Sequence, residues 1–114
     1  MKVAENTIVL NVATEFSRTP GPRFRTEGKF AGEEFRETIL KDRFAQAINE
    51  GAKLQVNLDG GYGYATSFLE ETFGGLARIY DPGLVRETLV FKSDEEPYLI
   101  EDIVGYIQKA RGNG

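Results

Sequence analysis

The side chains best suited to chemistry in this sequence lie together in Asp59-Gly60-Gly61-Tyr62-Gly63-Tyr64-Ala65-Thr66-Ser67, where an apolar stretch gives way to glycines and then to a helical pattern. A hydroxyl pair at a helix start sits beside amides that have no intrahelical partner, and the helix dipole adds partial positive charge there. Such a place suits either the binding of a phosphate or covalent phosphorylation. Three readings stay open. In the first the glycines form a tight turn, Tyr62 and Tyr64 pack on neighbours, and Ser67 with Glu70 makes the S-x-x-E capping box of a helix N-terminus. In the second the loop binds a nucleotide, although the glycine spacing matches neither a dinucleotide fingerprint nor a P-loop, and no lysine follows to reach a phosphate. In the third a protein partner docks on the loop, with Tyr62, Tyr64 and Phe68 as aromatic anchors and Glu70 and Glu71 offered to basic groups. Phosphate on Thr66 or Ser67 then switches the contact.

Catalysis is poorly provided for. The chain contains no histidine and no cysteine, which removes the commonest general base, the commonest transition-metal ligand and the thiolate nucleophile together. Ser67 as a nucleophile would have to lean on Lys53, Asp59 or Glu70, and Ala65 and Leu69 stand where the glycines of G-x-S-x-G would be. The expectation is a regulatory protein–protein interaction module that is not an enzyme and needs neither cofactor nor metal. The alternative is a small serine-dependent hydrolase, or a nucleotide-binding domain, built on the 60–67 loop.

A formal net charge of −4 argues against nucleic acid as the partner. The charge is uneven: Arg18, Arg23, Arg25 and Lys29 gather early, and Asp94, Glu95, Glu96, Glu101 and Asp102 gather late. Arg23 and Arg25 are therefore candidates for holding an anion or an acidic partner. The apolar stretch after Met1–Asn6 is too short for a signal segment or a membrane span, and a small cysteine-free domain suits a reducing compartment. A cytoplasmic location with no membrane contact is expected.

The elements that must position these residues follow from periodicity. Thr7–Ala13 is β-branched and apolar and reads as a strand. Thr19-Pro20-Gly21-Pro22 reads as a turn, and Arg23–Glu27 alternates polar and aromatic residues as the edge strand of a hairpin would, with Gly28 ending it. Gly32 to Asn49 is helical, with Gly51 as its stop. Phe35 and Ile39 share one face there while Leu40, Phe44, Ala47 and Ile48 share another, so the spacing predicts a kink or two short helices. Leu54, Val56 and Leu58 alternate in a buried strand over Lys53–Asp59. A helix from about Ser67 follows, with Leu69, Thr72, Phe73, Leu76 and Tyr80 at helical spacing, until Asp81-Pro82-Gly83 breaks it. Thr88–Phe91 supplies another strand, and Pro97 opens a last helix striped by Ile100, Ile103, Val104 and Ile107. Gly112-Asn113-Gly114 should fray. The order predicts one layered α/β domain over residues 1–114, a mixed sheet of about four strands with three to four helices packed on it and at least one parallel crossover.

The run Val56-Asn57-Leu58-Asp59-Gly60-Gly61-Tyr62-Gly63-Tyr64-Ala65-Thr66-Ser67-Phe68-Leu69-Glu70-Glu71-Thr72-Phe73-Gly74-Gly75-Leu76 closely resembles the signature of bacterial STAS-like domains of unknown function. So do Thr19–Gly28 and Gly32–Arg36. More distantly, the strand–loop–helix unit resembles STAS domains of anti-sigma factor antagonists, in which a serine or threonine at the helix start is phosphorylated by an ATPase of the histidine-kinase type. That resemblance implies Thr66, with Ser67 as its neighbour, at the phosphoacceptor position, and a kinase-like ATPase as a partner. Those antagonists have an aspartate before the acceptor and a glycine soon after; this chain has Ala65 and Phe68.

Overall fold

The structure is a computed structural model that describes residues 6–110; the expectations for the first residues and for the 112–114 tail lie outside it. Three strands form one sheet in the order β1 (Thr7–Asn11), β2 (Lys53–Asn57), β3 (Leu89–Lys92), and both pairings are parallel. Each parallel step needs a crossover from one end of the sheet to the other, and helices supply it.

After β1 the chain makes a short helix α1 (Val12–Glu15), which ends the first strand two residues earlier than its apolar run suggests. Loop 16–31 then leads into α2, helical without a break over residues 32–50. The two apolar faces expected of this segment are brought together within one continuous helical run. A π-helical stretch, Arg36–Leu40, lies between α-helical Gly32–Phe35 and Lys41–Glu50 and shifts the helical phase, so Phe35, Leu40, Phe44 and Ala47 all reach the core. Gly51 takes the left-handed conformation that stops the helix. The next helix, α3, runs over 66–79 and repeats the device, with a π-helical Glu70–Gly74. Asp81 does more than break α3: its carboxylate accepts the Leu84 amide and so caps α4 (Pro82–Thr88). The last helix, α5 (Tyr98–Lys109), buries Leu99, Ile103 and Ile107, whereas Ile100 and Val104 are only half-buried.

The sheet has one covered face. Leu10, Leu54, Val56 and Leu89 are buried under the helices together with Phe35, Phe44, Phe68 and Phe73. On the opposite face Val9, Gln55 and Val90 lie side by side in register, and both valines are exposed. Parallel sheets are normally covered on both faces, so this open one is unusual.

The expected edge strand over Arg23–Glu27 is absent, and the sheet has three parallel strands where about four in mixed directions were expected. The reason is local. The Phe24 amide donates to the Glu27 carboxylate at 2.9 Å, the Glu27 amide to the Phe24 carbonyl at 2.9 Å, and the Arg25 amide to the Glu33 carboxylate at 3.0 Å. Those bonds fold Arg25–Glu27 into a 3₁₀ turn and leave few backbone groups for a ladder. Among the described residues no helix is long and apolar enough to cross a membrane.

Candidate functional site

Parallel strands deliver their C-terminal ends to one side, and a set of polar residues meets there. Asn57 Nδ2 donates to Asn11 Oδ1 at 2.8 Å across β1 and β2, and Asn57 Oδ1 accepts the Asp59 amide at 3.0 Å. The Asp59 carboxylate accepts the amides of Glu95 and Asp94 at 2.9 and 3.1 Å and the Lys92 ammonium at 3.2 Å. The Glu95 amide chiefly, then the Asp94 amide and Lys92, hold the Asp59 carboxyl below the usual carboxylate range against the opposing effect of burial. Gly60 in turn donates its amide to the Glu95 carboxylate at 2.9 Å. The glycine-rich loop is thus tied to the β3–α5 loop. Its other side is tied to loop 16–31: the Tyr62 amide reaches the Arg18 carbonyl at 2.8 Å, and the Arg18 guanidinium reaches the Gly60 carbonyl at 3.3 Å.

At the far end of the loop α3 begins at Thr66, one residue before the expected start. Ala65 is the N-cap, with extended backbone, and no side chain caps the helix. The predicted capping box does not form, because Ser67 is already inside the helix and Glu70 is engaged elsewhere. Thr66 is exposed and Ser67 half-buried. Tyr62 is the most exposed aromatic residue, at 81%. Tyr64 is half-buried, and its hydroxyl donates to the Leu58 carbonyl at 2.9 Å. Burial first, then the nearby carboxylates of Glu96, Asp59 and Glu95, raises the Tyr64 phenol well above its ordinary value, so it stays a donor. Phe68 belongs to the core, at 1% exposure, with rings of Phe16, Phe35 and Tyr64 around it. It offers nothing to a partner.

Glu70 and Glu71 join the basic residues of the first third of the chain. Arg23 contacts Glu70 at 2.6 Å and Glu71 at 3.3 Å, Arg78 contacts Glu70 at 2.7 Å, and Arg36 contacts Glu71 at 2.7 Å. Arg36 also donates to the Glu71 carbonyl at 2.8 Å. Arg78 first, then Arg23, lowers the Glu70 carboxyl below its usual range. Arg25 pairs with Glu37 at 3.2 Å, at a largely exposed position. Of the two arginines singled out for anion binding, Arg23 is therefore held on the Glu70 side chain; Glu70 lies one helical turn after Thr66 and donates its amide to the Thr66 carbonyl.

Close approach of α2 and α3 makes this pairing possible. A Cβ on Gly32 would lie 2.6 Å from the Phe68 carbonyl oxygen, and one on Gly75 would lie 2.5 Å from an Arg36 guanidinium nitrogen. Arg36 and Gly75 carried no separate signal in the sequence, where a charge at a helical position reads as solvated.

Residues 31–99 match the family described as STAS-like domain of unknown function (DUF4325). The chain belongs to that family. The matched stretch runs from the residue before α2 into the start of α5, so it contains β2, the glycine-rich loop, α3 and β3. No curated protein and no solved structure matches the chain.

Proposed function

We propose that this STAS-like domain is a regulatory protein–protein interaction module that docks a kinase-like ATPase or another signalling partner through the surface from Gly60 to Ser67, and that phosphate on Thr66 controls the docking. The observation that carries the reading is an exposed threonine on the first residue of a 14-residue helix, four residues after the exposed Tyr62, at the end of a loop that hydrogen bonds hold in shape. A phosphate there would face unpaired amides and the positive end of the helix, one turn from Glu70. It would compete with the Glu70 carboxylate for Arg23. Arg23 then serves the switch from within the molecule, while the aromatic loop meets the partner. Of the anchors first considered, Tyr62 and the exposed edge of Tyr64 remain.

The serine-hydrolase alternative finds less support. Lys53 begins β2, at the end of the sheet away from α3's start, and its ammonium donates to the Glu87 carbonyl at 2.6 Å. Asp59 is occupied by two amides and Lys92, and Glu70 by two arginines. None of the three is free to activate Ser67.

The test has two steps. Mass spectrometry of the chain recovered from its own cells is expected to find phosphate on Thr66, and calorimetry with the co-purified partner is expected to show Thr66→Asp and Tyr62→Ala each weakening binding at least tenfold with circular dichroism unchanged. Binding by both variants as tight as the parent's would overturn the proposal.

A further inference from the structure

The two edges of the sheet are closed at opposite ends, β1 at its C-terminal end by a side chain and β3 at its N-terminal end by the Leu89 amide, which donates to the Val85 carbonyl of α4. At β1 the Asn6 carbonyl accepts the Lys53 amide at 3.0 Å, so Asn6, Ile8 and Leu10 turn their backbone groups toward β2, and Thr7, Val9 and Asn11 turn theirs outward. The outward amide of Asn11 is not free: it donates to the Glu15 carboxylate at 3.0 Å, and Arg43 holds Glu15 in place. A side chain thus closes the end of that edge, a common guard against unwanted pairing. At β3 the Lys92 carbonyl accepts the Leu58 amide at 2.8 Å, so Val90 and Lys92 face β2 and Phe91 between them points its N–H and C=O away from the sheet. Among the described residues no strand pairs with this side. Lysine on an edge strand usually deters pairing, but the Lys92 ammonium is drawn aside to Asp59 and Asp94.

Beside this edge lies a groove of about 560 Å³ lined by Gln55, Phe91, Lys92, Asp94, Pro97 and Ile100. Phe91, Pro97 and Ile100 give it apolar walls, and the Asp94 side chain, 78% exposed, stands at the acidic turn Asp94-Glu95-Glu96. We infer that the β3 edge and its groove bind an extended peptide segment of a partner protein as a fourth strand, with alternate apolar side chains in the groove and a lysine or arginine meeting Asp94. Main-chain bonds would supply affinity, and the groove specificity. A second copy of this chain suits the site less well. Four residues of β3 give only about 13 Å of edge, and pairing on that scale falls far below the roughly 800 Å² per partner of a stable dimer. The groove shares Lys92 and Asp94 with the Asp59 cluster but contains neither Thr66 nor Arg23, and peptide binding is expected without phosphate on Thr66.

Random ten-residue peptides displayed on phage and selected on the intact chain provide the probe. Enriched sequences are expected to alternate apolar residues and to carry lysine or arginine toward one end. A synthetic copy of one of them should slow hydrogen exchange of the Phe91 amide at least tenfold and leave Val9 unchanged. Ile100→Glu, at a half-buried position, and Asp94→Lys, at an exposed one, should each weaken the peptide at least tenfold with unaltered circular dichroism, and Thr66→Asp should bind it as the parent does. No enrichment, a helical spacing of apolar residues, protection confined to other amides, or binding that survives both groove variants would overturn the inference. So would concentration-dependent self-association, by sedimentation equilibrium, that protects Phe91 without peptide: the edge would then belong to a second copy.

Discussion

Arg36 and Glu71 meet between α2 and α3 with side chains 10% and 12% exposed, whereas Lys92 reaches Asp59 beyond the strand ends with its own side chain 42% exposed. Both contacts join segments distant in sequence, and both are ion pairs within hydrogen-bonding distance. Their consequences differ because solvent differs. Water screens the Asp59 cluster, so the bonds to two backbone amides do most of the holding there and the loops remain able to respond to pH and salt. In the α2–α3 node neither charge has enough water to replace its partner, and the Nε of Arg36 is buried without any acceptor. A pair of that kind adds little net stability over an apolar substitute, but losing one member is severe. The buried node fixes how the two helices face each other; the exposed one sets the shape of the loops around Thr66.

The comparison breaks most visibly if one charge is removed from the node. Glu71→Ala or Arg36→Ala is expected to cost about 3 to 5 kcal/mol in urea denaturation, while the double change Arg36→Met with Glu71→Leu should lie much closer to the parent. Equal losses for single and double variants would show that packing, and not the stranded charge, sets the cost. Gly75→Ala probes the same node from its backbone side. The new methyl would meet Arg36 at 2.5 Å, and the displaced guanidinium should cost about 1 to 3 kcal/mol.

Acid should act on the Asp59 cluster and on Glu70. Both carboxyls are held below their ordinary values, so in the unfolded chain each binds its proton at higher pH. Their stabilising contribution is present in full above about pH 5 and is lost as pH falls through the lowered folded values, below about pH 4. Denaturation midpoints measured from pH 7 to pH 3 should therefore drop at the acid end, and Asp59→Asn should flatten part of that drop. A parent and variant with the same acid slope would remove Asp59 from the account. The smallest effect is expected at Ser67, whose hydroxyl caps nothing: Ser67→Ala should stay within about 0.5 kcal/mol of the parent. A loss near 1 kcal/mol would instead restore it as a cap.

What could be read along the chain was whatever depends on neighbours in sequence. Leu54, Val56 and Leu58 alternate, so β2 and its buried face were legible; Gly51 and Pro97 mark helix ends by their own backbone preferences; and strands separated by helical stretches imply parallel crossovers whatever the contacts. The glycine-rich loop could be placed between β2 and α3 for the same reason. Its surroundings could not, because they come from Arg18 on one side and Glu95 on the other. Local pattern misled at Arg23–Glu27, where alternation suggested a strand and carboxylates of Glu27 and Glu33 took the amides instead. At Ser67 the S-x-x-E spacing was present, but Arg23 and Arg78 had the stronger hold on Glu70. The sequence by itself did not show that the sheet stops at three parallel strands; it determined three of the strands, the helices between and after them, at least one parallel crossover and the position of the hydroxyls at a helix start. Tertiary structure decided the partner of every charge near them: Arg23 is 47 residues from Glu70 and Arg36 is 35 from Glu71, and periodicity carries no information across such distances.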